Sequence, residues 1–432
     1  MLRRLVVACC IAFVGFSSSV LANTLSPAEQ AIVNAVNQRQ PSALPMIEKL
    51  VNINSGTQNI DGVKEVGNIV KTEFEKLGFK GTWVEAPADM KRAGTLILTR
   101  EGNKGKRLLL IGHLDTVFAA DDPFNHFEQN KTTATGPGVI DDKGGIVVML
   151  QALTALNDAH LLDNTSITIA FPGDEENSGK PVSISRAPLI NAAKNKDVAL
   201  DFEPAFQLDT ATISRRGTGI WTLNTSGKEA HSSIVFQPAV GFGAILEMAR
   251  ILNAFSVELA HEKYFTFNPG LIAGGTLNTP GSDGTSFTVA GKKNVVAQTA
   301  TTVGDIRFIS VEQKLAMQAA MQKIVDQHLP GTDANITFVD SIPPMPPTAQ
   351  NEALLKMYSQ ISNDLGLGSV NPVDAATRGA GDLSHVAGIV PSCLGGLGPV
   401  GTGMHSKDET MDIASLSINA QRAALLIYRL TQ

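Results

Sequence analysis

Five short clusters of potential metal ligands follow one another along the chain, and each comes directly after an apolar segment. Their side chains are imidazoles and carboxylates with no thiolate among them, a set that suits a divalent ion such as zinc or manganese. Two histidines, three ligating carboxylates and one further glutamate exceed the needs of one tetrahedral ion. The pattern therefore predicts a two-metal hydrolase, built on the clusters His113-Leu114-Asp115, Asp141-Asp142, Asp174-Glu175-Glu176, Phe202-Glu203-Pro204 and Met404-His405-Ser406.

Length and charge limit the class of protein. The chain has 432 residues, more than one compact core normally holds, so two domains are expected. Hydrophobic residues make up 43% and charged residues 18%, which is ordinary for a globular protein and argues against disorder. The net charge is −6, and the sequence has no basic patch of the kind that contacts a phosphate backbone. Nucleic acid is therefore not an expected partner.

The first 22 residues have the pattern of a signal peptide. Arg3 and Arg4 precede a short apolar run, Leu5–Phe16, and Val20-Leu21-Ala22 provides a cleavage site. The apolar run is too short for a comfortable membrane span, so no span is expected. The sequence predicts an exported protein, periplasmic or secreted.

The cysteines leave one alternative for the N-terminus. Cys9 or Cys10 could carry a lipid, which ranks second because the apolar stretch before them is short. After cleavage only Cys393 remains, so no internal disulfide can form, and a small buried residue is the expected role.

The periodicity of apolar residues predicts an α/β catalytic domain. Helical patterns alternate with short strand-like runs, which is typical of helices layered on a sheet. The predicted helices are 27–39, with Ser26 as N-cap, 62–77 and 144–156, and the predicted strands are 94–99, 107–111, 166–171 and 198–200.

A second pattern interrupts this domain. A strand at 212–226, a helix at 240–255, a strand at 294–309, a helix at 311–329 and a strand at 335–339 give the order β-α-β-α-β. This order predicts an inserted ferredoxin-like α+β domain, and a proline-rich connector at 343–347 leads back. The catalytic domain is therefore expected in two segments, 23–211 and 341–432, with the insert at 212–340 between them.

The spacing of the first two clusters suggests individual roles. His113 and Asp115 lie at i and i+2 on one face of a strand end, so Asp115 can accept a hydrogen bond from the ring and orient it toward a metal. Asp141 has two carboxylate oxygens and could bridge two cations. A hydrogen-bonded buried histidine and a helix N-cap are the alternatives for these motifs taken singly.

The acidic cluster after the third strand divides naturally into two tasks. One of Glu175 and Glu176 can bind a metal while the other acts as general base, which is what a metal-activated water requires. An acidic solvated loop is the alternative. Glu203 and His405 are unremarkable singly. Their order in the sequence makes them candidate ligands, because together they complete two sets.

Taken together, these motifs resemble the dinuclear-zinc exopeptidase family of glutamate carboxypeptidase, aminoacylase and peptidase T, and most of all its glutamate carboxypeptidases. The resemblance implies a central mixed sheet flanked by helices, and a cis bond between Asp141 and Asp142. It also implies that Asp115 orients the first histidine and that Glu175 is the catalytic base. The ligands that it implies are His113 and Glu203 for one zinc ion, Glu176 and His405 for the second, and Asp141 bridging both.

The resemblance extends to the insert, which is a lid and dimerisation domain in the family. Gly227 to His231 match a motif whose histidine reaches the active site of a partner subunit, which implies a homodimer. Asn294 and Arg307 match residues that hold a substrate carboxylate. One departure is that 340–347 contains no arginine, where glutamate carboxypeptidase has one for its substrate. The resemblance therefore leaves glutamate specificity open.

The resulting hypothesis is a zinc-dependent exopeptidase that hydrolyses the amide bond next to a C-terminal residue bearing a carboxylate. A hydroxide shared by two metals would attack the carbonyl, with manganese or cobalt as possible substitutes for zinc. The substrate would be a peptide or an N-acyl amino acid. The alternatives are an N-acyl-amino-acid amidohydrolase or dipeptidase of the same family, a metal-binding export protein without catalysis, and a structural α/β protein.

Overall fold

The protein, seen in a computed structural model that describes residues 25–282, 284 and 286–432, has an α/β core with an inserted α+β unit. The helices are α1 (Pro27–Val51), α2 (Ile60–Glu75), α3 (Lys143–Asp158), α4 (Val182–Ser185), α5 (Ala187–Ala193), α6 (Ala244–Glu258), α7 (Val311–Val325), α8 (Ala349–Asp364), α9 (Asp382–Val386) and α10 (Ile413–Leu430). The strands are β1 (Lys80–Val84), β2 (Thr95–Arg100), β3 (Lys104–Ile111), β4 (Glu128–Gln129), β5 (Thr133–Thr135), β6 (Thr165–Pro172), β7 (Val198–Asp201), β8 (Thr210–Ala211), β9 (Gly217–Gly227), β10 (Thr266–Gly275), β11 (Leu277–Pro280), β12 (Phe287–Ala290), β13 (Thr299–Phe308), β14 (Thr332–Ile342), β15 (Asn371–Pro372), β16 (Ser392–Leu394), β17 (Gly401–Thr402) and β18 (Thr410–Asp412).

The core is built on a six-stranded mixed sheet in the order β1-β2-β6-β3-β7-β16. β3 runs parallel to both β6 and β7, while β2 pairs with β6 in the antiparallel sense. All residues of β6 are buried, as expected for a strand that is covered on both faces. The predicted α/β class is confirmed.

Helices cover both faces of this sheet because the side chains of its strands alternate. In β3, Leu108 and Leu110 join the larger apolar cluster, which includes buried residues of α1, α3 and α10. Leu109 and Ile111 point the other way into a smaller cluster with α5 and α9. The alternation places the ends of the strands in a fixed position between two helical layers.

Helix α1 is longer than predicted. Ser26 forms a capping box with Glu29, so the predicted start is confirmed. The prediction placed the end at Arg39, but the helix runs to Val51 and contains Pro41 and Pro45. Its apolar face continues past both prolines, and burial of that face against the core outweighs the local helix-breaking tendency.

Apart from a separate hairpin, the insert has one strand more than predicted. Its order is β-α-β-β-α-β, and β9, β10, β13 and β14 form an antiparallel sheet in the order β10-β13-β9-β14, with α6 and α7 packed on one face. The sequence pattern did not indicate β10 because Pro269 and Gly270 interrupt the alternation at a bulge. A separate hairpin, β11 and β12, lies between β10 and Asn294. The ferredoxin-like class of the insert is nevertheless confirmed.

The two chain crossings between core and insert lie side by side. The main-chain N–H groups of Arg215 and Met345 each donate a hydrogen bond to the carbonyl of the other, at 2.9 Å. Within the described ranges, every helix is too short or too polar to cross a lipid bilayer. The predicted signal peptide, with Cys9 and Cys10, lies outside the described residues.

Candidate metal centre

The candidate ligands converge because neighbouring strands of the six-stranded sheet end at the same edge. His113 follows β3, Glu176 follows β6 and Glu203 follows β7. Since β3 is parallel to both neighbours, the carboxyl ends of the three strands lie together. Asp141 comes just before α3, and His405 lies in the loop between β17 and β18.

Asp141 contacts one histidine with each of its carboxylate oxygens. Oδ1 is 2.9 Å from Nε2 of His113, and Oδ2 is 3.0 Å from Nε2 of His405. Nε2 of His405 also lies 3.2 Å from Oε2 of Glu176. Burial would raise the pKa of Asp141, but the two rings outweigh burial and hold the pKa below its usual range. The peptide bond between Asp141 and Asp142 is cis, as the resemblance implies.

Two sets of three side chains could each hold a cation. They are His113 with Asp141 and Glu176, and His113 with Glu175 and Glu203, and the ligand atoms of each set lie within 4.8 Å of one another. Oε1 of Glu176 is buried and has no hydrogen-bond partner in the part of the chain that is described. A buried carboxylate oxygen is costly unless it is paired or binds a cation. The donor set therefore fits divalent metal ions.

Asp115 holds the acidic loop as well as the first histidine. The closest contact of Nδ1 of His113 is the main-chain carbonyl of Asp115, at 3.0 Å, while the carboxylate is 3.5 Å away. That carboxylate accepts hydrogen bonds from the main-chain N–H groups of Glu175 and Glu176 and from Oγ1 of Thr57. No sequence signal identifies Thr57, because the segment before α2 has no periodicity that places it beside β3.

Glu175 lies in an enclosed and strongly negative environment. Its pKa is raised well above the ordinary value, first by burial and then by the negative charge of Asp382 and Glu203. Arg186 neutralises part of this charge through ion pairs with Asp174 at 2.7 Å and Asp382 at 2.6 Å. Asp174, the first residue of the acidic cluster, therefore supports the loop rather than facing the ligands.

Glu203 is paired with arginines that the sequence analysis did not identify. Oε2 lies 2.7 Å from Nη2 of Arg215 and 3.6 Å from Nη2 of Arg378. Nη2 of Arg215 also lies 3.2 Å from Asp201. Burial would raise the pKa of Glu203, but the charge of Arg215 outweighs burial and the pKa is lowered. Two adjacent arginines at 215 and 216, directly before a strand, were the available signal.

The loop that carries Asp141 is fixed by a second buried acid. Glu409 accepts hydrogen bonds from the main-chain N–H groups of Gly138, Ile140 and Asp141 at 2.9 to 3.1 Å. Burial raises the pKa of Glu409 to about 7. Gly145, in the first turn of α3, allows the helix to pack closely against the chain after β7, because a Cβ there would collide with the main-chain oxygen of Phe202. The sequence signal for Glu409 was its position four residues after His405.

The insert residues do not join this cluster. His231 is exposed, and its Nδ1 contacts Oγ of Ser233. Asn294 lies beside it, and Arg307 pairs weakly with Asp305 at 3.3 Å. Among the described residues, no hydrogen bond or ion pair links His231, Asn294 or Arg307 to the candidate ligands. The structure therefore brings together the predicted metal ligands, Asp115 and Glu175, and leaves the three insert residues apart.

An α/β core with histidines and carboxylates converging at the carboxyl ends of its strands defines a metal-dependent hydrolase. The family model described as "Peptidase family M20/M25/M40" matches residues 109–429. The chain belongs to this family and is a metallopeptidase, so the predicted family is confirmed.

Three similar proteins illustrate the relationship. Carboxypeptidase G2 of Pseudomonas sp. (strain RS-16) is 28% identical over 411 residues, which cover 92% of each chain. Aminopeptidase PepT of Bacillus cereus has a similar structure, with a TM-score of 0.72 at 17% identity over 91% of this chain and 99% of that one. A dinuclear metal-binding peptidase of the M20 family from Bacillus subtilis gives a TM-score of 0.64 at 13% identity, covering 91% and 99%.

Proposed function

We propose that this protein is an exported two-zinc exopeptidase that hydrolyses the amide bond next to a C-terminal residue bearing a carboxylate. The observation that carries this proposal is the placement of Asp141, whose two oxygens face two histidines from different regions of the chain. A bridging carboxylate needs this placement, since each oxygen serves a different cation. The similarity to carboxypeptidase G2 supports the direction of cleavage.

The ligands would divide into two sets that share Asp141. His113 and Glu203 would hold one zinc ion, and Glu176 and His405 would hold the other. Divalent cations bound here would supply an ionised water at neutral pH by lowering its pKa from 15.7 toward ~7. Arg215, on the far side of Glu203, would keep that carboxylate oriented.

Glu175 would move the proton. It lies beside the candidate ligands, and its main chain is fixed by the carboxylate of Asp115. From this position Glu175 would take a proton from the attacking water and deliver it to the leaving amine.

The insert would complete the site across a homodimer. His231 is exposed and lies apart from the cluster of its own chain, which agrees with a role in a partner subunit. There it would donate a hydrogen bond to the oxyanion, while Asn294 and Arg307 would hold the terminal carboxylate of the substrate.

Metal analysis combined with activity assays tests the proposal. Purified protein should contain two zinc ions per chain, lose turnover on chelation and regain it with zinc, manganese or cobalt. A panel of N-acyl amino acids, folates and dipeptides would separate a carboxypeptidase from an amidohydrolase or a dipeptidase. Zinc-supplied protein that binds no metal would overturn the proposal, and so would turnover that is unaffected by chelation.

A further inference from the structure

Arg378 is a buried cation beside the candidate ligands, with donors that have no partner. It lies in the loop between β15 and α9 and is 7% exposed. In the part of the chain that is described, neither Nε nor Nη2 donates a hydrogen bond. The 3.6 Å from Nη2 to Oε2 of Glu203 is an ion-pair distance that exceeds hydrogen-bond length. A buried guanidinium without partners is costly unless an anion completes it.

Neighbouring arginines are more fully paired, although Nε of Arg215 also donates no hydrogen bond among the described residues. Arg215 donates hydrogen bonds to Asp201, Glu203 and the carbonyl of Gly379. Arg186 is paired with two aspartates. Arg215 lies 2.7 Å from Glu203 and 3.2 Å from Asp201, whereas Arg378 reaches Glu203 only at 3.6 Å, so Arg378 is the less firmly paired of the two cations beside Glu203.

The free donors of Arg378 have the geometry of a carboxylate site. Nε–H and one Nη2–H lie on the same edge of the planar guanidinium, and together they match the two oxygens of a carboxylate. The neighbouring Gly379 is exposed, and a Cβ there would meet no atom within 4 Å, so the loop borders open space at that residue. A metal ion on Glu203 would draw that carboxylate's charge away from Arg378 and leave the guanidinium more in need of an anion.

We propose that Arg378 is a specificity-determining residue that binds a second carboxylate of the substrate, beside Glu203. This inference rests on the proposed function, in which Arg307 holds the terminal carboxylate. The preferred substrate is then a dianionic N-acyl amino acid. Its second carboxylate lies either on the side chain of the C-terminal residue or on the acyl group, and the two sources call for separate arms of one experiment.

Four substrates separate these sources with matched neutral partners. N-acetyl-glutamate is compared with N-acetyl-glutamine, and N-succinyl-alanine with its carboxamide, using zinc-loaded full-length protein. The unaltered protein should favour the charged member of at least one pair by about 10-fold or more in kcat/KM. Arg378→Gln should lower turnover of that charged substrate by about 10- to 100-fold, the usual strength of a hydrogen bond to a charged group. Turnover of the neutral partner should stay within about threefold, and Arg378→Lys should retain part of the preference.

Two controls exclude a merely structural role. Arg39→Gln removes an exposed arginine that pairs with Asp158, and it should change kcat/KM for neither the charged nor the neutral substrate. In a Glu175→Gln background, which prevents turnover, calorimetry should show tighter binding of the charged ligand, and Arg378→Gln should abolish the difference with the zinc content unchanged.

Failure of the role of Arg378 and failure of the proposed exopeptidase function give different results. Metal-loaded protein that hydrolyses none of the four substrates, and none of the N-acyl amino acids, folates and dipeptides of the larger panel, would overturn both. Hydrolysis confined to the larger panel would overturn the role of Arg378 alone. Hydrolysis of both members of each pair without preference would overturn the role of Arg378 alone, even if Arg378→Gln did not fold. Equal losses on charged and neutral substrates, or loss of zinc, would assign Arg378 to support of Glu203 instead.

Discussion

The candidate ligands and the polar residues of the insert differ in how the fold holds them. Asp141 is buried, contacts two histidines and has its main chain fixed by Glu409. His231 and Arg307, by contrast, are exposed or half-exposed, and their side-chain contacts are local ones, with Ser233 and Asp305. The first group is pre-organised within one chain, whereas the roles proposed for the second depend on how the insert meets another surface. Preorganisation of this kind is what places reacting groups accurately.

The strongest test of the pre-organised region is Glu175→Gln. Because Glu175 would carry the proton while the ligands hold the metals, turnover should fall by about 10²- to 10⁴-fold with both zinc ions retained. Glu312→Gln, on the surface of the insert, is the matched control and should leave turnover unchanged. Near-normal activity in Glu175→Gln would remove the general base from the proposal.

The exposed region is tested by mixing two inactive variants. His231→Asn should reduce turnover by about 10²- to 10³-fold, the usual effect of losing one oxyanion donor. If His231 acts across a dimer, subunits carrying His231→Asn and subunits carrying Glu175→Gln should complement each other. Random reassortment gives one intact site in each mixed dimer, hence about a quarter of full activity. Mixtures as inactive as their components, despite verified subunit exchange, would place His231 outside the partner's site.

A smaller effect is expected at the support of the ligand loop. Glu409→Gln keeps the shape of the side chain but replaces one acceptor oxygen of the carboxylate with a donor. Residues that orient ligands usually contribute 10- to 100-fold to metal affinity, and about 10-fold is expected here because the Gln carbonyl retains some of the contact. Competitive chelator titration measures the change. Unaltered zinc affinity would show that the loop is held without Glu409.

The smallest effect is expected on the pH dependence of stability. It is tested by comparing His385, a half-buried histidine of the core, with His231, an exposed histidine of the insert. Burial lowers the pKa of His385 to about 4, helped by the charge of Arg186. The folded state thus binds the proton less readily than the unfolded chain, so stability is lost as pH falls from about 6.5 toward 4.

His385→Gln should remove about 1–2 kcal/mol of that loss, measured as the difference in unfolding free energy between pH 7.5 and pH 4.5. His231→Gln is the matched exposed control and should keep the unaltered pH dependence. An identical slope in His385→Gln and the unaltered protein would contradict the prediction.

The sequence indicated where His113, Glu176 and Glu203 lie because each comes after a strand of the main sheet. Their roles as metal ligands stay predictions. Strand ends are visible as the point where an apolar run stops, and the shared edge of parallel strands then brings His113 and Glu203 together. The roles of His231 and Arg307 stay predictions, since they depend on an assembly of chains.

The supporting residues could not be predicted in the same way. Arg215, Arg378 and Glu409 come from loops or from residues just outside strands, where no periodicity indicates direction. Their partners are distant in sequence, as in the contact of Glu409 with Asp141. The sequence did not predict β10 for a local reason, because the bulge at Pro269 disrupts the alternation that marks a strand.

The paired crossings at Arg215 and Met345 have an evolutionary consequence. Since the chain leaves and re-enters the core at adjacent, hydrogen-bonded positions, the segment between them resembles a cassette whose two ends already meet. Such a cassette can be lengthened, exchanged or trimmed without redirecting the path of the remaining chain. Changes can then accumulate in the insert while the core and its candidate ligands are inherited intact.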